Sequence, residues 1–268
     1  MAPIDPAQIA VGIVLSIFVA LASFRARFLT KSGASAQAVL GFVVFGLGGL
    51  NFAVPILVFF VSSSILSSYP KFPHRALSVP DPRGSTRDAW QVGANGGFGG
   101  LSVLANLLFP SELWYLAFVG SFAAAAADTW GTEIGTRYGS HPRLLTTFEP
   151  VEAGRSGGIT LAGTIAGFAG ATLVGLSALA WLADRSSLAL ACTIVAGTAG
   201  SLTDSLFGAA LQSRYRCTVC DRVTEQTLHC GTGALKESGV WWINNDVVNL
   251  VCTLVGLVAA PLMYKIFS

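Results

Sequence analysis

Two carboxylates dominate any chemical reading of this sequence. Asp128 closes the run Ala123 to Ala127, which follows Val119-Gly120-Ser121-Phe122, and precedes Thr129. Asp204 closes the stretch Ala196-Gly197-Thr198-Ala199-Gly200-Ser201-Leu202-Thr203 and precedes Ser205. The two stretches look like copies of one pattern, a small-residue helix with Asp-Thr/Ser near its end. A carboxylate inside an apolar segment is costly and marks a site by default. Two of them converging between helices can hold Mg²⁺, which takes oxygen ligands and usually adds phosphate oxygens. A pair of Asp–Arg bridges and a cation or proton pathway are the other readings. Glu133 follows roughly one turn after Asp128 but off its stripe.

Cations or paired asparagines stand where further segments begin. Thr30-Lys31-Ser32-Gly33, Arg87 through Gln91 to Asn95-Gly96, Gly154-Arg155-Ser156-Gly157-Gly158 and Asn244-Asn245-Asp246 each precede or open an apolar run. A helix start offers free N–H groups and partial positive charge, so anions suit it better than cations. Lys31, Arg87 and Arg155 therefore read as a cradle for a phosphate lying between them and the helix starts. Gly157 and Gly158 would let a phosphate approach the backbone. Retention of basic residues on one side of a membrane explains the same cations without any ligand.

The sequence has five cysteines. Cys192 and Cys252 fall inside apolar runs and read as core residues. Cys217-x-x-Cys220 and His229-Cys230 share a polar stretch, and four soft ligands suit structural Zn²⁺. Adjacent ligands at 229 and 230 require a bent backbone between them. Unligated thiols in an ordinary loop are the alternative.

The elements that must position these groups are apolar helices. Hydrophobic residues make up 53% of the 268 and charged ones only 11%, against about 25% charged in soluble domains. The net charge of +2 gives no basis for nucleic-acid binding. With spans of about 20 apolar residues in mind, the chain divides into segments at roughly 8–24, 36–50, 52–68, 92–109, 113–134, 158–182, 188–212 and 246–264. Gly48, Gly49 and Asn51 separate a short second and third segment, which read as a hairpin that enters and leaves. The fourth opens on a crowd of glycines and is tolerated at depth only where protein or water surrounds it. Seven spans plus a re-entrant segment is the competing count. Alternating eight spans from an outside N-terminus leaves only Arg185 and Lys265 of the 16 Lys and Arg outside. That bias supports eight crossings with both termini outside. No cleavable signal peptide is expected, since Met1 to Ala10 lacks a basic start.

The expected architecture is thus an all-α integral membrane bundle of about eight helices. One polytopic domain spans 1–268, with an inner-side Cys/His loop at 213–245, small-residue packing and a parallel internal repeat. Every candidate group lies on the positive-inside, cytosol-like face.

The ordered motifs resemble a family. Arg87-x-x-x-Gln91-Val92-x-x-Asn95-Gly96, Ala127-Asp128-Thr129-Trp130-x-x-Glu133-Ile134-Gly135, Arg155-Ser156-Gly157-Gly158-Ile159-Thr160, Thr203-Asp204-Ser205-Leu206-x-Gly208 and Asn245-Asp246-x-Val248-Asn249 are similar to the transmembrane protein 19 family. That family includes the phytyl-phosphate kinase of tocopherol synthesis. The resemblance covers nearly the whole chain from about residue 30. The order of the Asp, Gly and Arg-Ser-x-x-Gly elements also resembles CTP-dependent polyprenol kinases.

The resemblance implies phosphoryl transfer from a nucleoside triphosphate, CTP or ATP, to a phytyl or prenyl monophosphate held in the bilayer. No Gly-x-x-x-x-Gly-Lys-Ser/Thr motif is present, which excludes a P-loop enzyme. Asp128 and Asp204 would hold Mg²⁺, with Glu133 and Asp246 as helpers. Lys31, Arg87, Arg155, Ser156, Gly157 and Gly158 would bind phosphates, and Asn95 and Asn245 would orient oxygens or a ribose. Zn²⁺ on Cys217, Cys220, His229 and Cys230 would be structural. An ion-coupled transporter or channel is the alternative, since transporters share parallel repeats and broken helices.

Overall fold

The computed structural model of the chain describes residues 5–69, 86–182 and 186–268. Lys71, Arg75, Arg83 and Arg185, four of the cations counted above, lie outside the described residues. Eight helical rods account for most of the rest. α1 (Pro6–Arg25) is capped by Asp5. α2 (Lys31–Gly41) continues without a break as a π-helix, Phe42–Gly48. α3 (Leu50–Ser68) follows Gly49, whose φ of +86° makes the corner that a side chain would strain. α4 is Ala89–Leu108 and α5 is Glu112–Tyr138. α6 (Leu161–Ala178) ends in a 3₁₀ turn at Leu179–Trp181. α7 is Ser186–Ala210 and α8 is Asn245–Phe267.

The rods run alternately between two ends. At one end Gln8 donates to the Gly46 carbonyl at 2.9 Å. There the Tyr115 hydroxyl also donates to the carbonyls of Asn51 and Ala178. At the other end Arg137 donates to the Tyr69 carbonyl at 2.8 Å, and the Val240 N–H donates to Leu211 O. Five of these helices, α1, α3, α6 with its 3₁₀ turn, α7 and α8, are long and apolar enough to cross a membrane. The α2–π rod, α4 and α5 complete the bundle. Side chains such as Val11, Val14 and Phe18 stay exposed along α1, as a lipid-facing surface requires. Trp90 and Trp241, 79% and 73% exposed, mark the end where α4 and α8 begin, the placement that amphipathic rings take at a membrane boundary.

α5 is the hub. Its residues from Tyr115 to Ala127 are all buried, and α3, α4, α6, α7 and α8 all pack on it. The alanine run makes that possible, because facing helices bring glycines to it. A Cβ on Gly167 would come within 2.9 Å of the Ala127 carbonyl, and one on Gly197 within 2.9 Å of the Ala123 backbone. Gly120 and Gly256 face each other's carbonyls across α5 and α8. This is small-residue packing, in which close backbone approach replaces side-chain interdigitation. The contacts 123 to 197 and 124 to 200 ascend together, so α5 and α7 run parallel.

α4 is a continuous helix despite its glycines. Gly96 and Gly100 make room for Leu40 of α2, and Gly99 makes room for Phe122 of α5. The expected weakness of the fourth segment is thus a docking face.

Short strands join the rods at the site end. β1 (Arg143–Leu144) pairs with β2 (Gly158–Ile159). Between α7 and α8, β3 (Arg214–Arg216) is flanked by β4 (Val223–Thr224) and β7 (Leu235–Ser238), while β5 (Leu228–His229) and β6 (Thr232–Gly233) form a separate hairpin.

Candidate active site

The carboxylate pair follows from the α5–α7 contact. Ala124 meets Gly200, and a Cβ on Gly200 would also come within 2.7 Å of the Cys252 carbonyl of α8. One turn further along each helix, on the same stripe, stand Asp128 and Asp204. Their side chains come within hydrogen-bonding reach of each other. Oδ2 of Asp204 is buried with no hydrogen-bond partner among the described residues. Two acids in such contact require a shared proton or a cation between them. Cys252, read from the sequence as core, is buried, donates to the Ala124 carbonyl at 3.6 Å and faces both carboxylates.

Of the three cations, Arg87 alone reaches Asp128. Its backbone is clamped at the start of α2: the Arg87 N–H donates to Phe28 O at 2.8 Å, and Thr30 N–H donates to Arg87 O at 3.0 Å. Gly33 lacks a Cβ where the Arg87 carbonyl sits. The guanidinium lies within electrostatic reach of Glu133 and Asp128. Burial pushes its pKa down, and the two carboxylates oppose that shift. Glu133 also pairs with Arg137 at 3.2 Å. Glu133 and Asp128 therefore share one cation even though they sit on different stripes. Lys31, at the first position of α2, and Arg155 are exposed.

The Arg155-Ser156-Gly157-Gly158 turn docks on the end of α7. Ser156 donates to Gln212 Oε1 at 2.6 Å. Gly157 has φ +79°, and a Cβ there would meet the Ala209 backbone. Packing thus accounts for this glycine, and Gln212 is a partner that sequence spacing did not indicate. Asn95 donates to the Gln91 carbonyl at 2.9 Å, one turn back in α4. Asn245 is the first residue of α8, beside the cap Asn244, and Asp246 follows with a buried Oδ1. All four helices that start at this end carry their own cap. Thr30, Asp88, Thr160 and Asn244 accept from the N–H of Gly33, Gln91, Gly163 and Val247, and Asp88 with Gln91 forms a capping box.

Beside Arg87 opens a groove, part of it open to the surroundings. Leu40, Phe45, Ile56, Phe59 and Phe122 make its walls, and Arg87, Gln91 and Asn95 line it from the site end. An apolar channel that finishes on a guanidinium suits an amphiphile with an anionic head.

The Cys/His loop lies at the same end. Cys217, Cys220, His229 and Cys230 bring their ligand atoms within 4.8 Å of one another. N–H groups of Val219 and Cys220 hold Cys217 down, with a pKa of about 6, and neighbouring thiols push Cys230 up to about 11. Glu225, in the same loop, lies within electrostatic reach of Asp204 and Arg214. No motif reasoning had singled it out.

Comparison with known proteins agrees with the membrane architecture. The chain is 30% identical over 91% of its length to Protein PGR of Arabidopsis thaliana, covering 91% of that protein. It is 30% identical over 95% of its length to an uncharacterized membrane protein of Methanocaldococcus jannaschii, covering 93% of it. Protein VTE6, chloroplastic, of Arabidopsis thaliana matches at 26% over 94% of this chain and 70% of that one. No solved structure matches significantly. The model of the integral membrane protein DUF92 family matches residues 14–257, and the chain belongs to that family, the transmembrane protein 19-like family whose motifs it carries.

Proposed function

We propose that this protein is a membrane kinase that transfers a phosphoryl group from a nucleoside triphosphate to an isoprenyl monophosphate, giving the diphosphate. The observation that supports it most is the meeting of three things: the Asp128–Asp204 pair, the Arg87 guanidinium beside it and the apolar groove that ends on Arg87. The isoprenyl tail lies in the groove and its phosphate rests on Arg87. Asp128 and Asp204 would hold Mg²⁺, which would supply charge neutralisation for phosphoryl oxygens. Glu133, tied to Arg137, holds Arg87 in position. Lys31, Arg155, Asn245 and Asp246, at the rim of the same end, receive the nucleotide. The tail enters sideways from the bilayer, and the nucleotide arrives from the positive-inside face. The family resemblance, which includes a phytyl-phosphate kinase, points to the same chemistry.

The test is an assay of the purified chain with prenyl and phytyl monophosphates and radiolabelled CTP or ATP. Asp128→Asn and Asp204→Asn remove a charge without changing size. Each is expected to lower transfer by roughly 10²-fold or more, about 3 kcal/mol of transition-state stabilisation. Lipid binding should fall less than turnover, because the carboxylates reach the substrate through the metal. Folding should persist, since neutralising a buried acid relieves its desolvation. Wild-type rates in both variants would end the assignment of these residues. No transfer by the parent with any lipid would favour the ion-coupled transporter.

A further inference from the structure

We propose that Cys217, Cys220, His229 and Cys230 form a tetrahedral structural Zn²⁺ site that folds the segment between α7 and α8. The distances fit this ion. With Zn–S near 2.3 Å and Zn–N near 2.0–2.1 Å, a tetrahedron places two sulfurs about 3.8 Å apart and a sulfur and nitrogen about 3.5 Å apart. Cys220 Sγ and Cys230 Sγ are 3.8 Å apart. His229 Nδ1 is 3.5 Å from Cys220 Sγ and 3.3 Å from Cys230 Sγ. A disulfide would need its sulfurs near 2.05 Å.

The backbone is shaped for four ligands. Cys217-x-x-Cys220 occupies the turn between β3 and β4. Cys217 Sγ accepts from the Val219 N–H at 3.4 Å, and Asp221 closes the turn with φ +57°. His229 ends β5 and Cys230 opens the turn to β6. Neighbouring residues normally point apart, yet Cys230 at φ +53° and Gly231 at φ +76° bend the chain so that both face inward. The left-handed conformation at Cys230 is unfavourable for a residue with a side chain, and it brings this sulfur onto the cluster.

The segment also lacks any other reason to fold. Its strands are two to four residues long, and from Arg214 to Ser238 Cys217 alone is buried. A unit this small without a core needs a metal or disulfide to hold it. Once folded it is anchored below. Ser213 N–H donates to Ile243 O and Gly239 packs on the Gln212 backbone. That anchoring seats the segment on the end of α7 and the start of α8.

The site rests on no assumption about catalysis, and its test reads metal rather than activity. The full chain, purified in detergent without chelator or added metal, should contain about one zinc per chain by elemental analysis. Cys220→Ser and Cys230→Ser should each abolish most of it while size-exclusion profiles stay monodisperse. On the unmutated chain, exchange into Co²⁺ should give the visible absorption of a tetrahedral thiolate site. Stripping the metal should raise hydrogen exchange across 214–238 and leave α5 unchanged. Should a Ser variant fail to fold, the Co²⁺ spectrum and exchange data decide alone. Metal-free unmutated protein without that spectrum, or with Cys220 and Cys230 joined as a disulfide, would overturn the proposal. A zinc-replete chain that transfers no phosphate would support it and sink the kinase reading only.

Discussion

At the scale of residues, the site turns on Arg87. Its carbonyl and N–H bond the chain at the α2 start, and its guanidinium lies within electrostatic reach of Asp128 and Glu133. Arg87→Gln is expected to raise KM for the lipid monophosphate by roughly 10- to 100-fold, the loss of one charge-assisted hydrogen bond of about 1.5–3 kcal/mol. kcat at saturating lipid should change less. An unchanged KM, measured across a lipid titration, would remove Arg87 from the phosphate. The sequence made the acids legible because charge in apolar runs is conspicuous. It could not separate Arg87 from Lys31 and Arg155, since all three precede helices and their side-chain reach depends on tertiary clamping. It also hid Cys252 and Glu225. A buried cysteine in an apolar helix and a glutamate in a polar loop look ordinary until the fold sets them beside Asp204.

At the scale of elements, glycine positions carry the packing. Along α4, Gly93 and Gly97 face nothing within 4 Å, whereas Gly99 abuts Phe122 and Gly96 abuts Leu40. Gly93→Ala and Gly97→Ala should therefore be neutral or stabilising by about 0.5–1 kcal/mol through helix propensity. Gly99→Ala should destabilise by about 1–3 kcal/mol through overpacking. Thermal unfolding of the three variants in detergent checks the order, and equal melting points would contradict it. Periodic apolar runs made most helix positions legible, and the expected segments at 52–68, 92–109 and 188–212 fall within a few residues of α3, α4 and α7. The π-helix at Phe42–Gly48 was not legible, because its wider ring leaves no compositional trace that distinguishes it from an α-helix ending at Gly48.

At the scale of the whole molecule, the polar machinery gathers at one end of the bundle. The Asp184 and Ser85 positions that would mark the two faces lie outside the described residues, but Pro110 and Ser140 are exposed at opposite ends. A membrane-impermeant thiol reagent applied from outside should label Pro110→Cys and not Ser140→Cys. The native Cys220 and Cys230 should react only after the membrane is opened and the metal is stripped. The reverse pattern would invert the placement of every group discussed above. The same hub geometry bears on how the chain is made. α5 carries Asp128, Glu133 and Arg137 and relies on α6, α7 and α8 for three of its packed faces, yet it is synthesised before all of them. During that interval Asp204 does not exist, while Arg87 is already available to offset Asp128 and Arg137 to offset Glu133. The order of synthesis thus supplies the cation before the second acid, so the nascent half-protein never has to hold two adjacent carboxylates without a counter-charge.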